Sequence, residues 1–307
     1  MARIPEHIAR ELPFARREVK VDGVRMSVVD DGAGPTLLFV HGNPAWSYLW
    51  RKLLAAGKAQ GFRVVAPDLA GFGLSEKPSD PSYHSLQRHV DNLVALVRAL
   101  DLREITLVMH DWGGPIGMGL AVNEPDRIAR LVVANTVAFA PREARPLTRW
   151  HASLATPWGY RAAVWLNAVQ RSAMRLGVAR PLPRDVARAY RWPMRERGAR
   201  IAAARLVQMV PDGPEHPEAR TLRRFMEDYP KLAGKPMLVL WADKDRVMRP
   251  RFAKRWLEEF PQAQIRHVAP DAGHFWQEDA PELFLPHILA FAEQHDQHEA
   301  HEGAKSR

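Results

Sequence analysis

The run His110-Asp111-Trp112-Gly113-Gly114 follows the apolar stretch Ile105-Thr106-Leu107-Val108-Met109 and leads into Pro115-Ile116-Gly117-Met118-Gly119-Leu120. A strand, a sharp turn and a helix are predicted in that order, with a carboxylate where a nucleophile elbow offers its reactive side chain. A glycine two places further on lets a strained backbone lift that side chain above the sheet. A carboxylate with an ordinary pKa of about 4 is ionised at neutral pH without a base to activate it. Its attack on carbon gives a covalent ester, and breakdown of that ester is the second half of a reaction. An Asp that merely caps the helix from Gly113 would leave the same local pattern. The decision therefore rests on what the rest of the chain brings to the same edge.

The elements that must carry Asp111 are legible from periodicity. Strands are predicted over Arg17–Val21, Arg25–Val29, Thr36–Val40, Arg63–Pro67, Ile105–Met109, Leu131–Asn135, Met237–Leu240 and Gln264–Val268. Helical patterns lie between most of them, with Leu86, Val90, Leu93, Val94 and Val97 on one face of Leu86–Leu100 and a further helix over Glu282–Phe291. This alternation predicts an α/β fold with a mostly parallel eight-stranded sheet flanked by helices. Asp22-Gly23 joins the first two strands as a short hairpin, so that pair is expected to be antiparallel. The stretch from about Phe139 to Tyr229 lacks convincing strands and is rich in helix formers, Arg and Pro, which predicts an inserted helical lid. The expected division is a core over 1–138, a helical cap over 139–230, a second core part over 231–294, and a polar tail over 295–307 that is expected to be disordered.

Composition limits the chemistry. The 307 residues include no cysteine, which excludes disulfides and thiol catalysis, and 46% apolar residues with 10 Trp suffice for one large core. No apolar stretch reaches the roughly 20 residues of a bilayer span, and Met1 to Val19 mixes Arg and Glu among its apolar residues, so a cytoplasmic location is expected. The net charge of +9 is not spread along the chain: residues 141–230 hold 17 Arg, no Lys and 8 acidic residues, and so carry all of it. Either these are solvated helix faces, or the cap docks to an acidic protein or lipid surface; no nucleic-acid partner is expected. His295, His298 and His301 drift around a helix and are read as part of the tail, not as a metal site.

Ligands of open α/β sheets bind beyond the carboxyl ends of the strands. Four segments fall there: His41-Gly42-Asn43-Pro44, Asp111-Trp112, Asp243-Lys244-Asp245, and Asp271-Ala272-Gly273-His274-Phe275. Nucleophile, acid and base follow one another in the chain order of α/β-hydrolases. Together with Trp46-Ser47-Tyr48-Leu49-Trp50-Arg51 and Asp68 to Lys77 with Gly71-Phe72-Gly73, these motifs resemble the haloalkane dehalogenases and their aspartate-nucleophile relatives, from about Val19 to Gln294. The resemblance implies an α/β-hydrolase fold and displacement of halide from an alkyl carbon by Asp111, with halide held by the indole N–H of Trp112 and the amide of Asn43. It further implies His274 as the base that activates water, Asp245 as the acid that orients it, and the backbone N–H groups of Trp112 and Asn43 as an oxyanion hole. No metal or cofactor is required, and a small apolar substrate is expected.

Three departures refine the resemblance. Asn135 stands after the sixth strand, where one dehalogenase branch has a Glu, which leaves Asp245 as the acid and Asp243 as its competitor. Tyr190-Arg191-Trp192-Pro193-Met194 differs from the apolar tyrosine-proline run expected in the cap, and Met109 occupies a position where many elbows have Gly. The branch with its acid after the seventh strand also resembles the β-lactone decarboxylases of bacterial olefin synthesis, through Asn135-Thr136-Val137-Ala138-Phe139, Leu176-Gly177-Val178 and Ala187-Arg188-Ala189-Tyr190. Asp111 would then open a strained lactone. An epoxide hydrolase would need two converging lid tyrosines, for which Tyr160, Tyr190 and Tyr229 are the candidates. A binding module that has lost its chemistry is the reading from outside enzymology.

Overall fold

The computed structural model describes residues 4–294; the three terminal histidines singled out above lie outside them. Eight strands form one sheet: β1 (Arg16–Val21), β2 (Val24–Asp31), β3 (Thr36–Val40), β4 (Arg63–Pro67), β5 (Ile105–His110), β6 (Ile128–Ala134), β7 (Met237–Ala242) and β8 (Gln264–Ala269). Their order across the sheet is β1-β2-β4-β3-β5-β6-β7-β8. β2 runs antiparallel to both β1 and β4, and the remaining neighbours are parallel. The hairpin at Asp22-Gly23 has positive φ at both central residues, 45° and 84°, with Val21 paired to Val24. That is the two-residue turn whose twist suits adjoining strands, and it explains the sequence signal.

β3 and β5 are buried along their whole length, as parallel strands covered on both faces must be. Alternate residues feed two cores. Leu38, Val40, Leu107 and Met109 pack with Val90, Leu93 and Val97 of the helix Leu86–Ala99, whereas Leu37, Phe39 and Val108 pack with Leu53, Leu54, Phe284 and Ile288 on the other side. Ser85 caps the first of these helices by accepting the N–H of Arg88 (3.2 Å), which fixes where it starts.

Between β6 and β7 lie the helices Arg149–Ala155, Pro157–Leu166, Ala168–Leu176, Arg184–Arg191, Arg197–Gln208 and Pro217–Glu227, with no strand among them. This helical segment is tied to the carboxyl edge of the sheet at several places. Ala203 O accepts the side-chain amide of Asn43 (3.0 Å), and Gly177 O accepts the N–H of Phe275 (2.9 Å). Asp279 adds a third tie, its carboxylate accepting the N–H groups of Ala179 (2.8 Å) and Gly273 (2.9 Å).

Candidate active site

Asp111 follows β5 directly and has φ +52°, the left-handed region that a side chain rarely adopts and that costs of order 1 kcal/mol or more. The neighbours hold it there. A Cβ on Gly113 would collide with the carbonyl oxygen of Val40, and one on Gly114 with the hydroxyl of Thr136, so both positions require glycine for the helix Gly113–Asn123 to start this close to β3 and to the chain that leaves β6. Thr136 donates its hydroxyl to the Asp111 carbonyl. The unusual Met109 is accommodated by the same helix, because its sulfur occupies the space that a Cβ on Gly117 would fill.

The turn brings the expected residues together. Asp111 Oδ1 accepts the backbone N–H of Asn43 (2.6 Å), and Oδ2 lies 3.2 Å from His274 Nε2. His274 Nδ1 meets Asp245 Oδ2 at 2.7 Å. Asp245 Oδ1 in turn accepts the N–H groups of Val247 (2.7 Å) and Met248 (2.8 Å), the turn that follows β7. Asp243, the competing acid, points elsewhere and pairs with the half-exposed His267 ring (2.5 Å). Two residues apart in the turn that follows β7, the carboxylates fall in different environments.

Asn135 has a role that the sequence did not disclose. It is buried with φ +46°, its amide donates to Asp245 Oδ2 (3.0 Å) and Ala242 O (3.1 Å), and its oxygen accepts the N–H of Ala242 (2.9 Å). It therefore fastens the loop that carries Asp245 to the end of β6. His110 donates from Nε2 to the carbonyl of His274 (2.8 Å), and His41 accepts the N–H of Leu69 at Nε2 (3.0 Å). Burial lowers both imidazoles, His110 to about 3, so they are neutral scaffold.

The triad-like cluster behaves differently. Burial alone would lower His274, but the Asp245 charge and hydrogen bonds to Asp111 and Asp245 outweigh it and raise the imidazole to about 10. For Asp111, burial would raise the carboxyl; the His274 hydrogen bond and charge prevail and hold it at about 2, with the backbone N–H of Trp112 also favouring the anion. The resting pair is thus carboxylate beside imidazolium.

Two apolar cavities of about 260 and 230 Å³ meet over this carboxylate. Asp111, Trp112 and His151 line both. One runs past Val137, Phe139, Leu147 and Phe252 and also meets Arg142, Arg145, Arg251 and Arg255; the other passes Trp150, Leu176, Val207 and His274. His151, on the helix Arg149–Ala155, is the functional candidate the sequence missed, since a lone His in a helical stretch carries no spacing signal. Thr148 Oγ1 accepts its backbone N–H (3.2 Å) and lies 2.8 Å from its Nδ1. We assign the hydroxyl proton to Nδ1, the acceptor within reach, which leaves the ring's own proton on Nε2. That N–H has no protein partner among the described residues. Burial lowers the ring to about 4, so it is a neutral donor. The indole N–H of Trp112 likewise meets no protein acceptor among the described residues, and Asn43 keeps a second amide hydrogen beyond the one given to Ala203.

The candidate tyrosines do not converge. Tyr190 donates its hydroxyl to Glu278 (2.6 Å), Tyr229 donates to Ala138 O, and neither lines the two cavities. Tyr160 is likewise absent from both linings.

The profile of the α/β-hydrolase fold matches residues 35–281. The chain belongs to the α/β-hydrolase family. Within that family, this α/β-hydrolase is 37% identical to a cis-3-alkyl-4-alkyloxetan-2-one decarboxylase of Shewanella oneidensis over 91% of this chain and 89% of that one. It is 34% identical to a haloalkane dehalogenase of Mycolicibacterium paratuberculosis over 90% of each. Among solved structures, the haloalkane dehalogenase DatA of Agrobacterium tumefaciens superposes with a TM-score of 0.81 at 25% identity, covering 91% of this chain and 96% of that one. The chain is therefore an enzyme of the haloalkane dehalogenase-like type. Among the described residues no helix is long and apolar enough to cross a membrane.

Proposed function

We propose that this α/β-hydrolase opens cis-3,4-dialkyl β-lactones on Asp111 and releases a cis-alkene and carbon dioxide. The observation that carries the reading is the pair of apolar arms diverging from one carboxylate. A lactone with an alkyl chain on each of two adjacent ring carbons needs two such arms, whereas a primary alkyl halide needs one. The relationship to the oxetanone decarboxylase supports the same choice.

The chemistry balances without water. Asp111 attacks the ring carbon bonded to oxygen, that C–O bond breaks, and its electron pair stays on the released carboxylate. The bond between this carboxylate and its carbon then supplies the electrons of the C=C bond. Carbon dioxide leaves, and the ester bond to Asp111 breaks to restore its anion. Inversion followed by anti elimination keeps the two alkyl groups cis. The Asn43 N–H and His274 stabilise the Asp111 anion, and donors that stabilise an anion also make it a good leaving group. His151 Nε2–H is the donor for the carboxylate released on opening, and Asp245 holds His274 in orientation.

Hydrolysis of an alkyl halide is the second reading, favoured by the unpartnered Trp112 indole N–H and the spare Asn43 amide hydrogen, two donors suited to halide. It requires His274 to act as a neutral base. Esterification of Asp111 would remove one of the two anions that hold its proton.

A single turnover in oxygen-18 water separates the two. A cis-3,4-dialkyl oxetan-2-one is expected to give alkene and carbon dioxide, with no label in the peptide that carries Asp111. Its rate is expected to fall as the pH rises towards 10, where His274 loses its proton. Bromide release from 1-bromobutane, with label in Asp111, no alkene from the lactone and a rate that rises with pH, would transfer the assignment to dehalogenation.

A further inference from the structure

Among the described residues the large apolar side chains that stand exposed are Trp158, Trp165, Leu166, Leu176 and Leu283, and all but the last belong to the helical segment. Trp158 is 76% and Trp165 64% exposed. They sit seven residues apart on the helix Pro157–Leu166, two turns, and so share a face. An indole pair left in water on one face marks a contact surface, not a packing accident.

The charge around it has one sign. From Ala144 to Arg184 the chain holds seven Arg and no acidic residue. The Arg161 guanidinium lies over the Trp158 ring at 5.0 Å and that of Arg197 over Trp165 at 4.6 Å, while Arg171 and Arg175 stand exposed on the next helix, Ala168–Leu176. Leu176, which ends that helix, is half exposed and also lines the cavity arm that holds His274. The arm therefore opens beside this face.

We infer that the face formed by helices Pro157–Leu166 and Ala168–Leu176 docks on an anionic phospholipid bilayer. Trp residues favour the headgroup level, where the ring is apolar and its N–H is wet, and Arg beside them meets lipid phosphate. A second copy of the chain fits poorly, because a two-fold contact would set Arg against Arg. Docking in this orientation brings the mouth at Leu176 to the lipid. An apolar substrate dissolved in the bilayer then reaches Asp111 with little passage through water; this last step rests on the lactone reading, but the docking itself does not.

Vesicle sedimentation of the whole protein tests it without any activity measurement, so failure of either proposal leaves the other standing. Binding is expected to vesicles of phosphatidylcholine mixed with phosphatidylglycerol, weakened by salt, and about tenfold or more weaker to phosphatidylcholine alone. The double variant Trp158→Ala/Trp165→Ala and, separately, Arg171→Glu/Arg175→Glu are each expected to lose about tenfold or more in affinity. All four side chains are exposed, so both variants retain the fold, which a thermal melt verifies. Absence of binding to the mixed vesicles, equal binding to both kinds, or indifference to both variants overturns the inference. So does a dimer in light scattering that the Trp variant dissociates, which would assign the face to a second copy, or equally tight binding to soluble polyglutamate, which would assign it to an acidic protein.

Discussion

The strand ends and the helical segment above them meet at one cavity but are built under different constraints. At the strand ends, position is dictated atom by atom. Asp111 is held in the left-handed region by glycines that admit no Cβ, and Asp245 is fixed by two backbone N–H groups and by Asn135. The helical segment carries the whole net charge, while basic and acidic residues balance in the rest of the chain. On the proposed function, reactivity belongs to the strand ends and choice of substrate to the helices that line the two cavities. Variants at the two sites are expected to fail in different ways: those at the strand ends with every substrate, those in the helices with one substrate and not another.

The largest effect belongs to Asp111→Asn, which keeps the side-chain volume and a residue tolerant of positive φ but removes the anion. Turnover of lactone and halide alike is expected to fall by roughly 10⁴-fold or more, with the thermal midpoint close to wild type. Unequal losses for the two substrates would mean that they do not share a nucleophile.

Next comes Asp245→Asn, for which a drop of roughly 10³- to 10⁴-fold is expected, since the amide removes the charge that contributes most to keeping His274 protonated, whereas Asp243→Asn is expected to leave kcat within about twofold. Similar losses in both would dissolve the distinction between the buried and the exposed carboxylate.

The smallest and most selective effect is assigned to the helices. His151→Leu is expected to lower kcat for the lactone by about ten- to a hundredfold, the worth of one well-placed donor, while alkylation of Asp111 by 1-bromobutane, read by intact mass in a His274→Gln background, continues unchanged. Equal losses in both assays would reduce His151 to packing.

These two regions also differ in how much of them the sequence discloses. The hairpin at Asp22-Gly23, all eight strands and the residues Asn43, Asp111, Trp112 and His274 are legible, because each is bound to a period of two, a turn requirement or the end of a strand. Asn135 is visible only as the lack of a carboxylate, since its contacts with Ala242 and Asp245 join residues more than a hundred positions apart. His151 leaves no trace for a similar reason: its relation to Asp111 is created by how the helices fold back over the sheet. The choice between Asp243 and Asp245 depends on a turn whose direction two neighbouring carboxylates do not encode. The helical segment announces its secondary structure and its charge, but not which of its side chains reach Asp111.

Met109 and Gly117 show how volume is shared between the strand and the helix beneath the site. A strand residue has grown a thioether where many elbows have only a hydrogen, and a residue on the facing helix has none of the bulk that would contest the space. The large residue stands on the strand and the small one on the helix, so that one side chain fills the space between them. Any side chain beyond hydrogen at position 117 would have to push the Met109 sulfur aside, on the strand that leads to Asp111.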